Sequence, residues 1–195
     1  MALEFDFNKD IILEDERAIL RPLVITDLDI LLPVATNDNR LLQFSPKPVH
    51  SNELLSDYIK SALNEKQKGE RYPFIIFDKQ ANAFAGSTSY LAIAPFHSRL
   101  EIGSTWIGKQ FQRTGLNRHC KFLMLRYVFE NLGWERVEFK TDERNIQSRN
   151  AIEAIGGKLE GVLRNHTLMS DGFRRNTVCY SILKNEWPEI KKKIV

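Results

Sequence analysis

The stretch Gln112-Arg113-Thr114-Gly115-Leu116-Asn117 has the composition of an anion-binding turn. It follows a strand-like segment ending at Trp106-Ile107 and opens an apolar-striped helical pattern at Leu116. The first four N–H groups of a helix have no partner within it, and the aligned peptide dipoles place roughly half a positive charge at that end. Gly115 lets the backbone approach a guest closely, while Arg113 and Arg118 add charge on either side. By residue type alone the turn also reads as a plain strand-to-helix reversal. It is neither GxxxxGK[ST] nor GxGxxG, and antiparallel rather than parallel strands precede it, which excludes the nucleotide loops of parallel sheets.

Other residues able to do chemistry are spread along the chain. Asn145 is placed to cap a helix, and Ser148, three residues on, falls in its first turn facing the same end. Glu101, in "LEIGSTWIG", is a strand acid that could act as a base, meet water or pair with an arginine. His50, His97, His119 and His166 lack ligand spacings such as HxxxH or HExxH, so no metal is expected. Cys120 and Cys179 lie far apart without a CxxC spacing and read as small buried hydrophobes in a reducing compartment. Tyr90 and Phe44 read as core aromatics or as pocket lining.

Positioning these groups requires a sheet and several helices. Ala18 to Val24, with Pro22, suits a first strand at a sheet edge. Thr26 is placed to cap a helix over Asp27 to Ala35, and Ser51 to begin a second that Gly69 ends. Tyr72 to Asp78, Phe84 to Ala92 and Arg99 to Ile107 read as three consecutive antiparallel strands. A helix from Leu116 to about Asn131, closed by Gly133, then returns through a crossover to a strand over Arg136 to Thr141. A helix over Asn145 to Ile155 stops at Gly156-Gly157, and Lys158 to Arg164 pairs with Thr177 to Leu183 around Asp171-Gly172. The order β α α β β β α β α β β defines an α+β fold, a mixed sheet within one domain spanning residues 1–195.

The formal charge is only +3, and the densest basic run, Lys191-Lys192-Lys193, reads as a solvated tail, which argues against direct nucleic-acid binding. Met1 to Asp10 carries acids rather than a leader's basic and apolar segments, and no apolar run approaches ~18 residues, so a cytoplasmic protein without a membrane span is expected.

Together these stretches resemble a known superfamily. Gln112 to Asn117 resembles the Q/R-x-x-G-x-G/A pyrophosphate loop of the GNAT acetyltransferases. "ERNIQSRNAIEAIGGKLEGVLRNH" and "DGFRRNTVCYSILKNEWPEIK" are similar to the C-terminal half of its ribosomal-protein N-acetyltransferase branch, of RimJ/RimL type. Asn117 stands where the general pattern has Gly or Ala, a departure shared within that branch.

The resemblance implies acetyl-CoA as co-substrate and a GNAT-type, mainly antiparallel sheet flanked by helices. It implies that the amides of Gln112, Arg113, Thr114, Gly115, Leu116 and Asn117 hold the pyrophosphate, that Trp106 and Ile107 pair their backbone with the pantetheine arm, and that Asn145 contacts the cofactor. Ser148 would meet the departing thiolate and Glu101 would act as general base, directly or through water. The acceptor would be a primary amine: a protein N-terminus, including that of a ribosomal protein, or a small amine such as an antibiotic, polyamine or aminoacyl compound. A non-catalytic acyl-CoA module is the alternative. An α-amine with a pKa near 8 is roughly a tenth neutral at pH 7, whereas a lysine near 10.4 needs about 4.6 kcal/mol to reach its nucleophilic form, so an N-terminal amine demands little of a base. The final hairpin offers a surface for a homodimer.

Overall fold

The structure is a computed structural model that describes residues 3–194; Met1 and Ala2, which open the acidic stretch, and Val195 lie outside the described residues. Eight strands form one sheet in the order β1-β2-β3-β4-β5-β6-β8-β7: β1 (Leu13–Glu14), β2 (Ala18–Pro22), β3 (Arg71–Asp78), β4 (Ala83–Ala94), β5 (Arg99–Ile107), β6 (Arg136–Asp142), β7 (Lys158–Leu168) and β8 (Arg174–Leu183). The helices are α1 (Asp27–Thr36), α2 (Asn52–Gln67), α3 (Leu116–Arg126), α4 (Ile146–Ala154) and α5 (Trp187–Ile194). Every neighbouring pair of strands is antiparallel except β5 and β6, which α3 joins by the expected crossover.

The alternation within the strands decides what each face carries. Val137 and Phe139 on β6 and Val178, Tyr180 and Ile182 on β8 are buried toward one side. Glu138, Lys140 and Asp142, with Ser181, Cys179 and Thr177 opposite them, form the other. Tyr90, expected as core or pocket lining, is core: it is fully buried, with its hydroxyl donating to the Met124 carbonyl of α3 at 2.9 Å.

Several expectations need correction. The strand at Ala18 is not the sheet's edge, because Leu13–Glu14 pairs outside it; Pro22 is tolerated because it lies beyond the reach of that short strand. Thr26 has helical backbone angles and makes no cap; the buried Asp27 closes the turn instead, accepting from the Val24 amide at 2.9 Å and pairing with Arg21. Ser51 caps α2 as expected, accepting from the Leu54 amide. The helix after the loop changes to a π-helical stretch over Tyr127–Leu132 before Gly133, at φ 71°, ends it. Lys191 to Lys193 are not a free tail but the outer side of α5, whose Trp187 and Ile194 are buried. Cys120 is fully buried, as read, but Cys179 is only half-buried, on the polar face of the sheet.

Candidate active site

The site begins where β5 and β6 part. Their parallel pairing covers only Arg99 to Glu101 against Arg136 to Glu138. Beyond Glu101 the β5 edge toward β6 has no strand beside it among the described residues, leaving Ile102 to Ile107 along an open cleft. A bulge accompanies the change: the β4–β5 register shifts between Ser87 and Ser89, and Ser104 sits at φ 47°. Its carbonyl accepts from the Tyr58 hydroxyl at 3.2 Å, and that hydroxyl accepts in turn from Arg71 Nη2 at 2.7 Å. Arg71 is only 2% exposed, so this chain pins the bulge from inside the protein.

Because β5 and β6 run in the same direction, the helices that follow them, α3 and α4, both begin at the same end of the cleft. The loop into α3 is built for free amides. Arg113, at φ 61°, and Gly115, at φ 89°, turn the backbone out of regular structure, and a Cβ on Gly115 would meet nothing within 4 Å. Among the described residues, the amides of Arg113, Thr114, Gly115 and Asn117 have no protein acceptor. The Gln112 side chain fixes the loop: Nε2 donates to the Ile107 carbonyl at 2.9 Å, and Oε1 accepts from Gln147 of α4 at 3.3 Å. The Ile107 carbonyl is therefore already engaged, which leaves its share in any strand-like pairing to the rest of the β5 edge.

At the start of α4, Asn145 Oδ1 accepts from the Ser148 amide at 3.0 Å. The Ser148 side chain is half-buried, and its hydroxyl has no protein partner among the described residues. Two orphaned buried polar atoms also lie on elements lining the cleft, Trp106 Nε1 and Asn117 Oδ1. Trp106 itself is core, 3% exposed and edge-on to Tyr58.

Glu101 occupies the last paired position of β5. Its Oε2 accepts from Lys140 Nζ at 2.8 Å, and its Oε1 leans over Gly103, where a Cβ would come within 2.9 Å. The partner expected from sequence was water or an arginine; the register supplies a lysine from β6. Burial by itself would lower the Lys140 ammonium, but the hydrogen bond to Glu101 holds it above its usual value. On the same face Arg144 grips Asp142 at 2.7 Å and stacks over Phe173 at 3.9 Å and Phe44 at 5.6 Å. Arg175 donates to the Phe44 carbonyl at 3.1 Å, so the α1–α2 loop is tied over the sheet to the β7–β8 hairpin. A cavity of about 210 Å³ opens between that loop and the hairpin, lined by Leu42, Ser45, His50, Met169 and Asp171 among others.

Asp15, Glu16 and His119 bring three ligand groups within 4.8 Å of one another. Asp15 is already committed, accepting from His119 Nδ1 at 2.9 Å and from the Arg17 and Ala18 amides, and this cluster ties the β1–β2 turn to α3.

Sequence reasoning missed Tyr58, Arg71, Lys140 and Arg175. The last two owe their place to strand register and to contacts from distant segments, Lys140 to Glu101 and Arg175 to Phe44.

An amide-lined loop at a helix N-terminus beside a splayed pair of parallel strands is an arrangement that suits an acyltransferase taking its acyl group from a pyrophosphate-bearing thioester. Residues 17–158 match the Acetyltransferase (GNAT) domain, and the chain belongs to that family of acetyl-CoA-dependent acetyltransferases. It is 23% identical over 172 residues to "Uncharacterized N-acetyltransferase p20" of Bacillus licheniformis, covering 88% of this chain and 96% of the relative. It is 32% identical over 105 residues to "Putative ribosomal N-acetyltransferase YdaF" of Bacillus subtilis strain 168, covering 54% of this chain and 56% of the relative. Among solved structures, a GCN5-related N-acetyltransferase from Brucella melitensis superposes with a TM-score of 0.87 at 26% identity, covering 96% of this chain and 85% of that one. The cleft fits acetyl-CoA: the free amides and the open space at Gly115 suit a pyrophosphate, and the unpaired β5 edge suits the amide-bearing arm. No helix among the described residues is long and apolar enough to cross a membrane.

Proposed function

We propose that this enzyme acetylates a primary amine by direct transfer, and that the acceptor is a protein or peptide N-terminus. The observation that carries the proposal is the splay itself, which leaves Glu101 at its vertex, with Ser148, whose hydroxyl has no partner among the described residues, in the first turn of the helix that follows β6. Acetyl-CoA, when bound, supplies the thioester. Of the amides from Gln112 to Asn117, the free ones of Arg113, Thr114, Gly115 and Asn117 would hold its pyrophosphate, those of Gln112 and Leu116 being spent on Lys109 and Thr114; the β5 edge up to Trp106 would hold its arm, and Asn145, whose Oδ1 is spent on the cap, would offer Nδ2. As the amine nitrogen bonds to the acetyl carbon and the carbon–sulfur bond breaks, Glu101 would take the ammonium proton through a water, while Ser148 would give its proton to the leaving sulfur and regain one from solvent, Glu101 returning its own to solvent to close the cycle. Lys140 keeps the Glu101 carboxylate oriented toward the cleft. The buried Cys120, its thiol pushed up to about 12 by burial, has no part in the transfer. The name of the Bacillus subtilis relative supports a ribosomal-protein acceptor, and an α-amine, partly neutral at pH 7, needs less help from a base than a lysine does.

The test is CoA release with N-terminal peptides, polyamines and aminoacyl compounds. Ser148→Ala should lower kcat on the best acceptor by about 10- to 100-fold with an unchanged Kd for acetyl-CoA, and Glu101→Gln should lower kcat at every pH and alter the pH–rate profile. Wild-type turnover in both variants rejects these roles. Acetylation confined to polyamines rejects the N-terminal acceptor.

A further inference from the structure

One cation on the acceptor face has no carboxylate to itself. Arg99, Arg136, Lys140 and Arg144 each hold a carboxylate within ion-pair distance: Arg99 at Glu138, Arg136 at Glu138 and Glu160, Lys140 at Glu101, Arg144 at Asp142. Arg175, half-buried on β8 two residues before Thr177, makes no ion pair within 4 Å among the described residues. Its contacts are neutral: Nε donates to Thr177 Oγ1 at 3.1 Å and Nη1 to the Phe44 carbonyl at 3.1 Å. Nη2 has no partner among the described residues. Arg175 shares strand parity with Thr177 and Cys179, which sets it on the face that carries Asp142 and Lys140, and the carboxylates of Asp142 and Glu101 are each already taken by another cation. Two neutral acceptors hold the guanidinium in one orientation without neutralising it. Half-burial makes that bare charge costly and a bidentate anion a strong partner for it.

We propose that Arg175 is the specificity-determining residue for the acceptor, binding a carboxylate carried close to the amine that is acetylated. The inference rests on the amine-acetylation reading above. The site would select amines with a neighbouring anionic group, the amine held at Glu101 and the carboxylate at Arg175. Two sources share that chemistry: an acidic side chain within the first two residues of a peptide N-terminus, and the α-carboxylate of a free amino acid. Polyamines would be rejected, because they bring a second cation to a face whose one uncompensated charge is already positive. Burial lowers the Arg175 guanidinium below its ordinary value, which an acceptor carboxylate would offset.

The experiment measures kcat/KM on peptides that differ only by Glu or Gln at the second position, on free glutamate against its amides, and on a diamine. Binding of the acetylated product peptides to the enzyme–CoA complex is measured by calorimetry alongside. Wild type should prefer the acidic member of at least one pair by about tenfold or more, and the two pairs decide between the peptide and amino-acid sources. Arg175→Gln should collapse that preference to near unity in both readouts, and Arg175→Lys should restore part of it. Acetyl-CoA affinity, measured separately, should stay at the wild-type value, showing that the variants are folded. Equal use of acidic and neutral acceptors by wild type, or a preference that survives Arg175→Gln, overturns this inference and leaves the acetylation reading standing. No turnover on any acceptor by an enzyme that binds acetyl-CoA overturns both.

Discussion

At the scale of single residues, the most unusual environment belongs to Lys121. It lies on α3 with 6% exposure, and its partners are hydroxyls: Thr105 Oγ1 at 2.7 Å and Thr88 Oγ1 at 3.5 Å. Burial lowers its ammonium from 10.5 to about 8. With the folded value below the unfolded one, the unfolded chain binds the proton more tightly, so stability rises with pH between about 8 and 10.5. Below that window the buried charge destabilises the fold by on the order of 3 kcal/mol. Thr88 and Thr105 already share a hydrogen bond of 2.7 Å, so removing the amine leaves neither hydroxyl unpaired. Lys121→Met is therefore expected to raise Tm at pH 7, with the gain shrinking as pH climbs toward 10.5; a gain that does not depend on pH contradicts the account. Such residues were invisible in the sequence for a physical reason. Asn145 and Ser148 are three apart on one helix and announce their geometry through spacing. Lys121, Lys140 and Arg175 take their character from strand register and helix packing, which bring in Thr105, Glu101 and Phe44 from distant parts of the chain.

At the scale of elements, two glycines separate strain from function. Gly115 opens α3 at φ 89°, and Gly172 turns the β7–β8 hairpin at φ 82°; a Cβ at either would meet nothing within 4 Å. Valine at either position is expected to cost about 1–2 kcal/mol for the left-handed backbone. Only Gly115→Val should also weaken acetyl-CoA, by about tenfold or more, because its side chain would fill the space before the free amides. Equal acetyl-CoA Kd values for the two variants would place the pyrophosphate elsewhere. Elements with strong periodicity were legible: β5 was read to the residue, and α4 with its Asn cap to within one. Those set by tertiary context were not. Leu13–Glu14 is a strand only because Leu20 and Ile19 lie beside it, and Thr26 lost its cap to the ion pair of Asp27 with Arg21. The basic run of α5 hid a helix whose stability comes from what it covers rather than from its own pattern.

At the scale of the whole molecule, α5 connects the two helices that begin at the cleft between β5 and β6. Trp187 packs against Phe122 of α3 and Phe129 of the π-helical stretch, with ring centroids 5.9 and 5.7 Å away, and its Nε1 donates to Glu130 at 2.7 Å. Three residues on, Ile190 lies over Gly156 at the end of α4, where a Cβ would come within 2.7 Å of it. The C-terminal helix thus buttresses α3 and α4 from behind while their N-termini face the cleft. Trp187→Ala is expected to cost about 3–5 kcal/mol, and so is Phe5→Ala in the aromatic cluster with Tyr72 and Tyr90. Acetyl-CoA at a hundred times its Kd should return about 2.7 kcal/mol of stability to either variant, since it binds only the folded chain. The two should differ in the Kd itself. Loosening α5 releases the relative position of the two helix N-termini, so Trp187→Ala should weaken acetyl-CoA several-fold, whereas Phe5→Ala should leave the affinity at its wild-type value. Calorimetric titration of both variants, paired with thermal unfolding, decides it: matched affinities at matched destabilisation would mean that α5 stabilises the protein without aligning its cofactor site.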